Sequence, residues 1–473
     1  MAGMTRRAMG AGVLLAPVAA RAQAPAAAPW KLPSNAEIEA LLAARLDQQR
    51  QGVGIVVGVI DASGRRIVSH GVRAKGDTRP LDGDTVFEIG SMTKVFTSLI
   101  LADMVRKGEV KLDDPLQKYL PANVHVPERG GKQITLVDLA THTSALPSLP
   151  TNFKPKAAEN PYADYTLDQL WTYLNGYALT RDIGVQYAYS NMAVGLLGLA
   201  LTRRAGAADY ETLVRTRVLR PLGLKDTAIA LTPSMKARLA TGHTATLSPT
   251  ANWDLPVFAG AGALRSTAND MLAFLAAELG FRDTPLKAAM VDEYTLVRRK
   301  AGGPMDVALG WHIAKFSTGE VIWHNGGTGG YRTYFGFDPK LRIGAVVLTN
   351  AATQAGGDDI GMHLLAGRPV QVLTPPPPPR VAITLPPEQL AGLVGRYQFG
   401  TAPAYLTITQ DGGRLFAELT GQSAYEIFPE SPTAFFFKVV DAQVTFERGA
   451  DGRGTALILH QLGRDQKATR ADP

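Results

Sequence analysis

The chain has 473 residues, of which 45% are hydrophobic and 19% charged, a composition typical of globular proteins. Its length predicts two or three domains, and the lack of cysteine excludes a thiol nucleophile, a disulfide framework and cysteine-ligated metals. The formal net charge of +7 includes Arg6, Arg7 and Arg21, and no Lys/Arg-rich run with interleaved aromatic residues follows, so we expect no nucleic-acid partner.

The N-terminus has the pattern of an export signal. Arg6 and Arg7 precede an apolar run from Met9 to Ala20, and small residues frame candidate cleavage sites up to Ala24. This pattern predicts a signal peptide over residues 1–24, and paired arginines are a feature of the twin-arginine route. We therefore expect a periplasmic or secreted protein, with no transmembrane segment in the mature chain.

The next elements alternate between strand and helix patterns. Residues 35 to 50 predict a helix, and the β-branched stretch Gly54–Ile60 predicts a strand that returns as a second strand at Arg66–Gly71. Apolar residues recur at helical spacing from Ser91 to Lys107, and helical segments dominate from Leu112 to Leu279.

Strands return later in the chain. They are predicted at Leu309–Phe316, Val321–His324, Tyr331–Phe337 and Ile343–Leu348. Strands at both ends with helices between them predict an α+β domain over residues 31–366, with an antiparallel sheet flanked by helices and a helical subdomain.

A run of prolines, Pro375–Pro379, predicts a stiff linker over residues 367–384. Beyond it, short strand patterns alternate with turns such as Asp411-Gly412-Gly413, which predicts a small all-β domain, sandwich or barrel-like, over residues 385–473. The predicted strands are Tyr405–Ile408, Leu415–Leu419, Phe435–Val440, Val444–Phe446 and Ala456–His460.

The strongest chemical signal is Ser91 at a predicted helix start, with Lys94 three residues later. This spacing places the hydroxyl and the amine on one helical face, and the helix N-terminus favours negative charge developing on Ser91. A buried lysine can have a pKa low enough to accept the serine proton. Ser-x-x-Lys alone is a weak motif, because helices contain such pairs by chance.

Tyr189 and Asn191 form a second candidate, directly before an apolar helix. A phenol beside a lysine ammonium can pass a proton to a leaving group, and Asn191 can hydrogen-bond a substrate carbonyl or hold Lys94. Taken alone, Tyr-x-Asn at a helix start is more typical of a cap, and the same spacing recurs at Tyr173 and Asn175.

The third candidate is His324-Asn325-Gly326-Gly327, at the end of a predicted strand. Glycines there allow a substrate backbone to lie along the strand edge, and one backbone N–H can face a tetrahedral oxyanion. A plain glycine-rich turn with a surface histidine is the alternative interpretation.

Together and in this order, the three motifs resemble the serine β-lactamase, penicillin-binding and DD-peptidase superfamily, particularly class C β-lactamases and related esterases. The resemblance runs from about Val53 to Asn350 and includes the segment Leu139–Pro147. It implies roles for the site residues: Ser91 is the acylated nucleophile, Lys94 its activating partner, Tyr189 the general base and acid, and Asn191 orients substrate. It also implies that His324 and Gly326 form the third motif, that the N–H groups of Ser91 and Gly327 form the oxyanion hole, and that the tail is a small appended β domain.

One departure from the family bears on substrate. Class C β-lactamases usually have lysine where this chain has His324, and a neutral histidine holds an anion less well at pH 7. Thr93 and Ala145 also replace more usual residues, the latter a glycine.

We therefore expect an exported serine hydrolase that is acylated on Ser91 and cleaves amide bonds in a small-molecule or peptide substrate (a β-lactam, D-Ala-D-Ala or another D-amino-acid peptide). A carboxylesterase using the same site and a penicillin-recognising sensor with little turnover are the alternatives. Whether Lys94 or Tyr189 is the acylation base stays open, as does the oligomeric state. No metal-ligand spacing is present, so we expect no metal and no cofactor.

Overall fold

The computed structural model describes residues 30–316, 319–354, 356–375, 380–401, 404–440, 442–461 and 463–471. The predicted signal peptide lies outside the described residues, as do Pro376–Pro379 of the predicted linker. Within the described part of the chain, none of the helices has the length and apolar character needed to cross a membrane.

The N-terminal domain is built on an antiparallel sheet that joins the two ends of its sequence. Its strands lie in the order β2-β1-β10-β9-β8-β7-β6-β5. They are β1 (Gly54–Asp61), β2 (Gly64–Gly71), β5 (Arg299–Gly302), β6 (Met305–Val307), β7 (His312–Phe316), β8 (Gly319–Gly327), β9 (Arg332–Asp338) and β10 (Ile343–Thr349), while β3 (Val86–Glu88) and β4 (Arg265–Thr267) form a separate pair.

The α-helices precede, interrupt and follow these strands. They are α1 (Asn35–Ala43), α2 (Thr93–Arg106), α3 (Leu136–Ala140), α4 (Leu167–Gly176), α5 (Asn191–Arg204), α6 (Tyr210–Val214), α7 (Arg220–Leu222), α8 (Pro233–Arg238), α9 (Ala259–Gly262), α10 (Ala268–Glu278), α11 (Lys287–Thr295), α12 (Asp358–Ala366) and α13 (Pro387–Ala391). Helices α3 to α9 lie in sequence between β3 and β4 and form the helical subdomain. The expected α+β domain is confirmed.

Two apolar cores form on the two faces of the sheet. Strand β1 is buried on both faces, which explains its continuous run of apolar residues. Val57 belongs to the core shared with α1 and α12, whereas Val56 belongs to the larger core shared with α2 and α10. Helix α2 is buried along most of its length because this larger core surrounds it.

Some strand boundaries differ from the sequence prediction. Strand β8 continues to Gly327, three residues beyond the predicted end at His324, because its glycines pair with β9 instead of forming a turn. Strands β5 and β6 were not predicted, since each has only three or four residues and they flank the turn at Gly303.

The C-terminal domain is a closed barrel, so the prediction of a small all-β domain is confirmed. The strands are β11 (Gly395–Phe399), β12 (Tyr405–Asp411), β13 (Arg414–Leu419), β14 (Tyr425–Pro429), β15 (Ala434–Phe437), β16 (Ala442–Arg448), β17 (Gly454–Gln461) and β18 (Arg464–Arg470). Pairing of β11 with β18 closes the barrel, whose core has Tyr397, Phe435 and Leu457 fully buried.

The barrel contacts the loop between α3 and α4 of the first domain. The Lys438 ammonium lies 2.9 Å from a carboxylate oxygen of Glu159. Arg414 donates a hydrogen bond of 3.1 Å to the carbonyl of Lys156. These contacts hold the barrel beside the helical subdomain.

Candidate active site

Ser91 lies in a tight turn between β3 and α2. The turn, Gly90–Met92, is 3₁₀-helical, and Gly90 has a φ of +50°, which favours glycine. A Cβ on Gly90 would lie 2.8 Å from the backbone nitrogen of Gly327, so only glycine allows the turn to lie this close to β8. Thr93 secures the turn by donating a 2.7 Å hydrogen bond to the Gly90 carbonyl.

Lys94 is fully buried one turn after Ser91, and among the described residues its amine contacts only uncharged groups. Its Nζ lies 2.9 Å from Ser91 Oγ, 2.8 Å from Asn191 Oδ1 and 2.7 Å from the carbonyl oxygen of Ala261. Burial lowers the pKa of Lys94 well below its ordinary value, because the charged form loses hydration. A neutral amine could donate to Asn191 and Ala261 while its lone pair accepts the Ser91 proton.

Tyr189 lies on the other side of this pair. Its ring centre is 4.8 Å from Lys94 Nζ. Burial raises the pKa of Tyr189 well above its ordinary value, and a hydrogen bond with the Ser91 side chain acts in the opposite direction. The phenol therefore keeps its proton at neutral pH and is suited to donate it.

Asn191 begins α5, where the Ser190 hydroxyl caps the helix by accepting from the Ala193 N–H. The Asn191 amide oxygen accepts from Lys94, and its Nδ2 donates a long 3.4 Å hydrogen bond to the Tyr162 hydroxyl. Of the two functions considered for Asn191 from sequence, holding Lys94 is the one with a direct contact.

The glycines of β8 approach the Ser91 turn. Pairing of β7 with β8 ends at His312 and Trp323, so the last residues of β8 extend beyond β7 on that edge. A Cβ on Gly326 would lie 2.0 Å from the carbonyl oxygen of Ile89, which shows how closely this strand packs on the turn. The backbone of Gly327 therefore lies beside the turn that carries Ser91.

The side chain of His324 is more deeply buried than that of a surface histidine in a glycine-rich turn. Only 1% of its surface is exposed, and its Nδ1 lies 2.6 Å from the Asn325 carbonyl oxygen. Its Nε2 is buried with no hydrogen-bond partner among the described residues. Burial lowers the pKa of His324 well below its ordinary value, so the imidazole is neutral and lies behind Tyr189, with the two ring centres 6.3 Å apart.

Two further histidines are buried near Tyr189 and Tyr187. The His142 ring is 4.5 Å from the Tyr189 ring, and its Nδ1 accepts from the Ser190 N–H. His312 Nε2 lies 2.9 Å from the Tyr187 hydroxyl, and burial lowers the pKa of His312 to about 4. No local sequence pattern points to His312 or to Tyr162.

The segment that carries His142 has an unusual backbone. Both His142 and Ala145 have positive φ, +56° and +64°. Ala145 stands where family members usually have glycine, and the left-handed conformation gives the physical reason for that preference.

The chain is similar to known proteins over both domains. The family model described as Beta-lactamase matches residues 38–366, and a domain of unknown function, DUF3471, matches residues 379–472. The D-alanyl-D-alanine-carboxypeptidase/endopeptidase AmpH of Escherichia coli K12 is 35% identical over 62% of this chain and 78% of its own. Penicillin-binding protein 4* of Bacillus subtilis is 26% identical over 87% of this chain and 94% of its own.

Solved structures have the same fold. The beta-lactamase/D-alanine carboxypeptidase of Yersinia pestis, complexed with citrate, is 29% identical with a TM-score of 0.60, over 68% of this chain and 93% of that one. A class C beta lactamase of Rhodobacter sphaeroides is 25% identical with a TM-score of 0.59, over 67% of this chain and 94% of that one. The chain therefore belongs to the beta-lactamase family of serine hydrolases, with an eight-stranded barrel appended at its C-terminal end.

Proposed function

We propose that this chain is an exported acyl-serine hydrolase that cleaves amide bonds, either in β-lactams or in D-Ala-D-Ala and other D-amino-acid peptides. The observation that carries the proposal is the buried Lys94 amine, which lies 2.9 Å from Ser91 Oγ and has no charged partner in the part of the chain that the structure describes. Relatives named as a D-alanyl-D-alanine carboxypeptidase and as beta-lactamases support the substrate class.

In acylation, Ser91 Oγ attacks the substrate carbonyl carbon and its proton passes to the neutral Lys94 amine. The N–H groups of Ser91 and Gly327 stabilise the oxyanion. When the C–N bond breaks, Tyr189 donates its proton to the leaving nitrogen and regains one from the Lys94 ammonium. Water then attacks the ester, its proton returns through the same groups, and Ser91 is released.

This assignment makes Lys94 the acylation base and Tyr189 the acid. The directions of the two pKa shifts support it, because they favour an unprotonated amine and a protonated phenol. The geometry of the hydrogen bonds agrees. A neutral Lys94 amine has two N–H groups, which can donate to Asn191 Oδ1 and to the Ala261 carbonyl, and its lone pair can then accept the Ser91 proton.

A carboxylesterase is the second candidate. His324 takes the place of the lysine that class C β-lactamases use to hold a substrate carboxylate, and it is buried and neutral. A cleft without this fixed cation suits uncharged esters.

We further propose the cellular setting and the domain boundaries. Residues 1–24 direct export to the periplasm or outside the cell and are removed. The catalytic domain spans residues 31–366, and a linker over residues 367–384 connects it to the barrel over residues 385–473. The substrate is a small molecule or a peptide, and the oligomeric state stays open.

A substrate panel tests the function. We expect the purified enzyme to turn over at least one of nitrocefin, a D-Ala-D-Ala peptide and p-nitrophenyl butyrate, and Ser91→Ala to abolish that turnover. Lys94→Arg should reduce it by about 10²–10⁴, because a guanidinium cannot accept the serine proton. Intact-mass analysis should show a transient adduct on Ser91; a permanent β-lactam adduct would instead indicate a sensor, and turnover that survives Ser91→Ala would refute the proposal.

A further inference from the structure

A cavity of about 270 Å³ lies between the catalytic domain and the barrel. The catalytic domain contributes the aromatic side chains of Phe153, Tyr162 and Trp253. The barrel contributes one end of its interior, including Leu419 and Tyr425. Ligand sites prefer such apolar clefts at domain interfaces.

Two residues, Asn191 and Tyr162, connect Lys94 with the cavity. Asn191, which contacts Lys94 Nζ at 2.8 Å, is hydrogen-bonded to the hydroxyl of Tyr162, and the Tyr162 ring forms part of the cavity wall. The Tyr162 and Trp253 ring centres are 5.2 Å apart, so they form a continuous aromatic wall. Tyr425 of the barrel lines the same cavity as Tyr162, so the barrel reaches this wall.

The position of the cavity indicates which part of a substrate would enter it. Tyr189 donates a proton to the leaving group in the proposed mechanism, and its neighbours are His142 and His324. The cavity is lined by Tyr162, the hydrogen-bond partner of Asn191, and by neither Tyr189 nor the two histidines beside it. The acyl part of the substrate is therefore the part directed toward the barrel.

The chemistry of the lining defines the ligand class. All lining residues, which lie within the described part of the chain, are uncharged. Ser423 lines the cavity with a buried hydroxyl that has no hydrogen-bond partner among the described residues, and it can donate to a carbonyl of the acyl group. Burial of an unpaired charge in such a site is costly, whereas an apolar chain gains from leaving water.

We propose that the barrel completes the acyl-binding site and selects substrates whose acyl group carries a neutral apolar or aromatic side chain. This inference rests on the proposed function and deepens it. Two contacts hold the barrel against the catalytic domain in the position that this role requires. They join Lys438 with Glu159 and Arg414 with the Lys156 carbonyl.

Two esters of equal chain length test the selection. p-Nitrophenyl hexanoate ends in a methyl group, and mono-p-nitrophenyl adipate ends in a carboxylate at the same distance from the reacting carbonyl. We expect wild-type kcat/KM to favour the hexanoate by about tenfold or more, because the carboxylate must be desolvated. Leu419→Arg places a cation in the cavity and should shrink this ratio about tenfold or reverse it.

Gln422→Arg is the second variant, because Gln422 lines the cavity yet is solvent-exposed, so the substitution leaves the barrel core intact. Thr455→Arg is the matched control, since Thr455 is exposed near the start of β17, far from Leu459 and Gln461, which line the cavity near its end. The control should keep the wild-type ratio. An unchanged ratio in the Arg variants that fold, with hydrolysis still dependent on Ser91, would overturn this inference alone. Hydrolysis that persists in Ser91→Ala would overturn the proposed function itself.

Discussion

At the scale of single residues, the environment of Lys94 explains how a lysine can act as a base. Many lysines at protein surfaces pair with a carboxylate that favours the charged form. The Nζ of Lys94 instead contacts a serine, an amide and a carbonyl, while burial disfavours the charge. Loss of the proton therefore costs less here than in water.

Tyr189→Phe should slow amide hydrolysis by about 10²–10⁴, because the phenol is the proposed proton donor to the leaving nitrogen. p-Nitrophenyl esters should lose much less, since p-nitrophenolate leaves without needing a proton. Steady-state kinetics on a matched amide and ester measure the difference.

Tyr187→Phe is the control for this prediction. Tyr187 lies two residues earlier, and its hydroxyl contacts His312. Removing it should affect both substrates equally. Equal losses on amide and ester in Tyr189→Phe would show that the phenol has no acid role.

At the scale of elements, the packing of β8 on the Ser91 turn sets the geometry of the proposed oxyanion hole. A Cβ on Gly326 would meet the carbonyl of Ile89, a backbone atom with little freedom to move. A Cβ on Gly327 would meet the guanidinium end of Arg332 at 3.0 Å, and a long side chain can shift.

Gly326→Ala should therefore reduce kcat/KM by about 10²-fold or more, because it separates the two N–H donors. Gly327→Ala keeps its own N–H and should be tolerated much better. Kinetics with the best substrate, together with thermal unfolding of both variants, check this order. Similar activity in the two variants would contradict the proposed contact between strand and turn.

Helices α10 and α11 bring two carboxyl groups together in the core. Glu278 and Glu293 are 8% and 0% exposed, and none of their carboxyl oxygens has a hydrogen-bond partner among the described residues. Burial raises the pKa of both groups, and the charge of Glu278 raises the pKa of Glu293 further. The folded state thus binds protons that the unfolded state releases.

The thermal unfolding temperature should accordingly fall as pH rises from about 5 to 9. A carboxyl group whose pKa is raised by folding contributes its full stability below its pKa in the unfolded state. This contribution is lost as the pH rises through its pKa in the folded state. Glu293→Gln should flatten this dependence. Glu39→Gln, on the exposed face of α1, is the control and should leave it unchanged. An equal fall in wild type and Glu293→Gln would assign the pH dependence to other groups.

The sequence predicts best the features that depend on local pattern. Strand β1 is predicted because a central strand needs apolar residues on both faces, and the proximity of Ser91 to Lys94 follows from helical spacing. Strand β18 is not predicted, because it is polar and mostly exposed, with Ala468 as its buried residue. Without β18 the tail could be predicted only as a sandwich or a barrel.

Tertiary contacts account for the rest of what the sequence did not predict. The hydrogen bond between Tyr187 and His312 joins residues 125 positions apart, and the ring of His324 lies beside that of Tyr189, which is also distant in sequence. These positions have no periodicity that would reveal the contact. The same holds for the barrel, whose position depends on single pairs such as Lys438 and Glu159.

At the scale of the whole molecule, the reacting groups and one wall of the cavity belong to separate folding units. The barrel is closed by its own first and last strands, so its backbone hydrogen bonds do not depend on the catalytic domain. Substitutions at the end of the barrel that lines the cavity can therefore accumulate without disturbing Ser91, Lys94 or Tyr189. Over evolution, such a chain can acquire new substrate specificities through substitutions in its C-terminal domain while its catalytic residues stay the same.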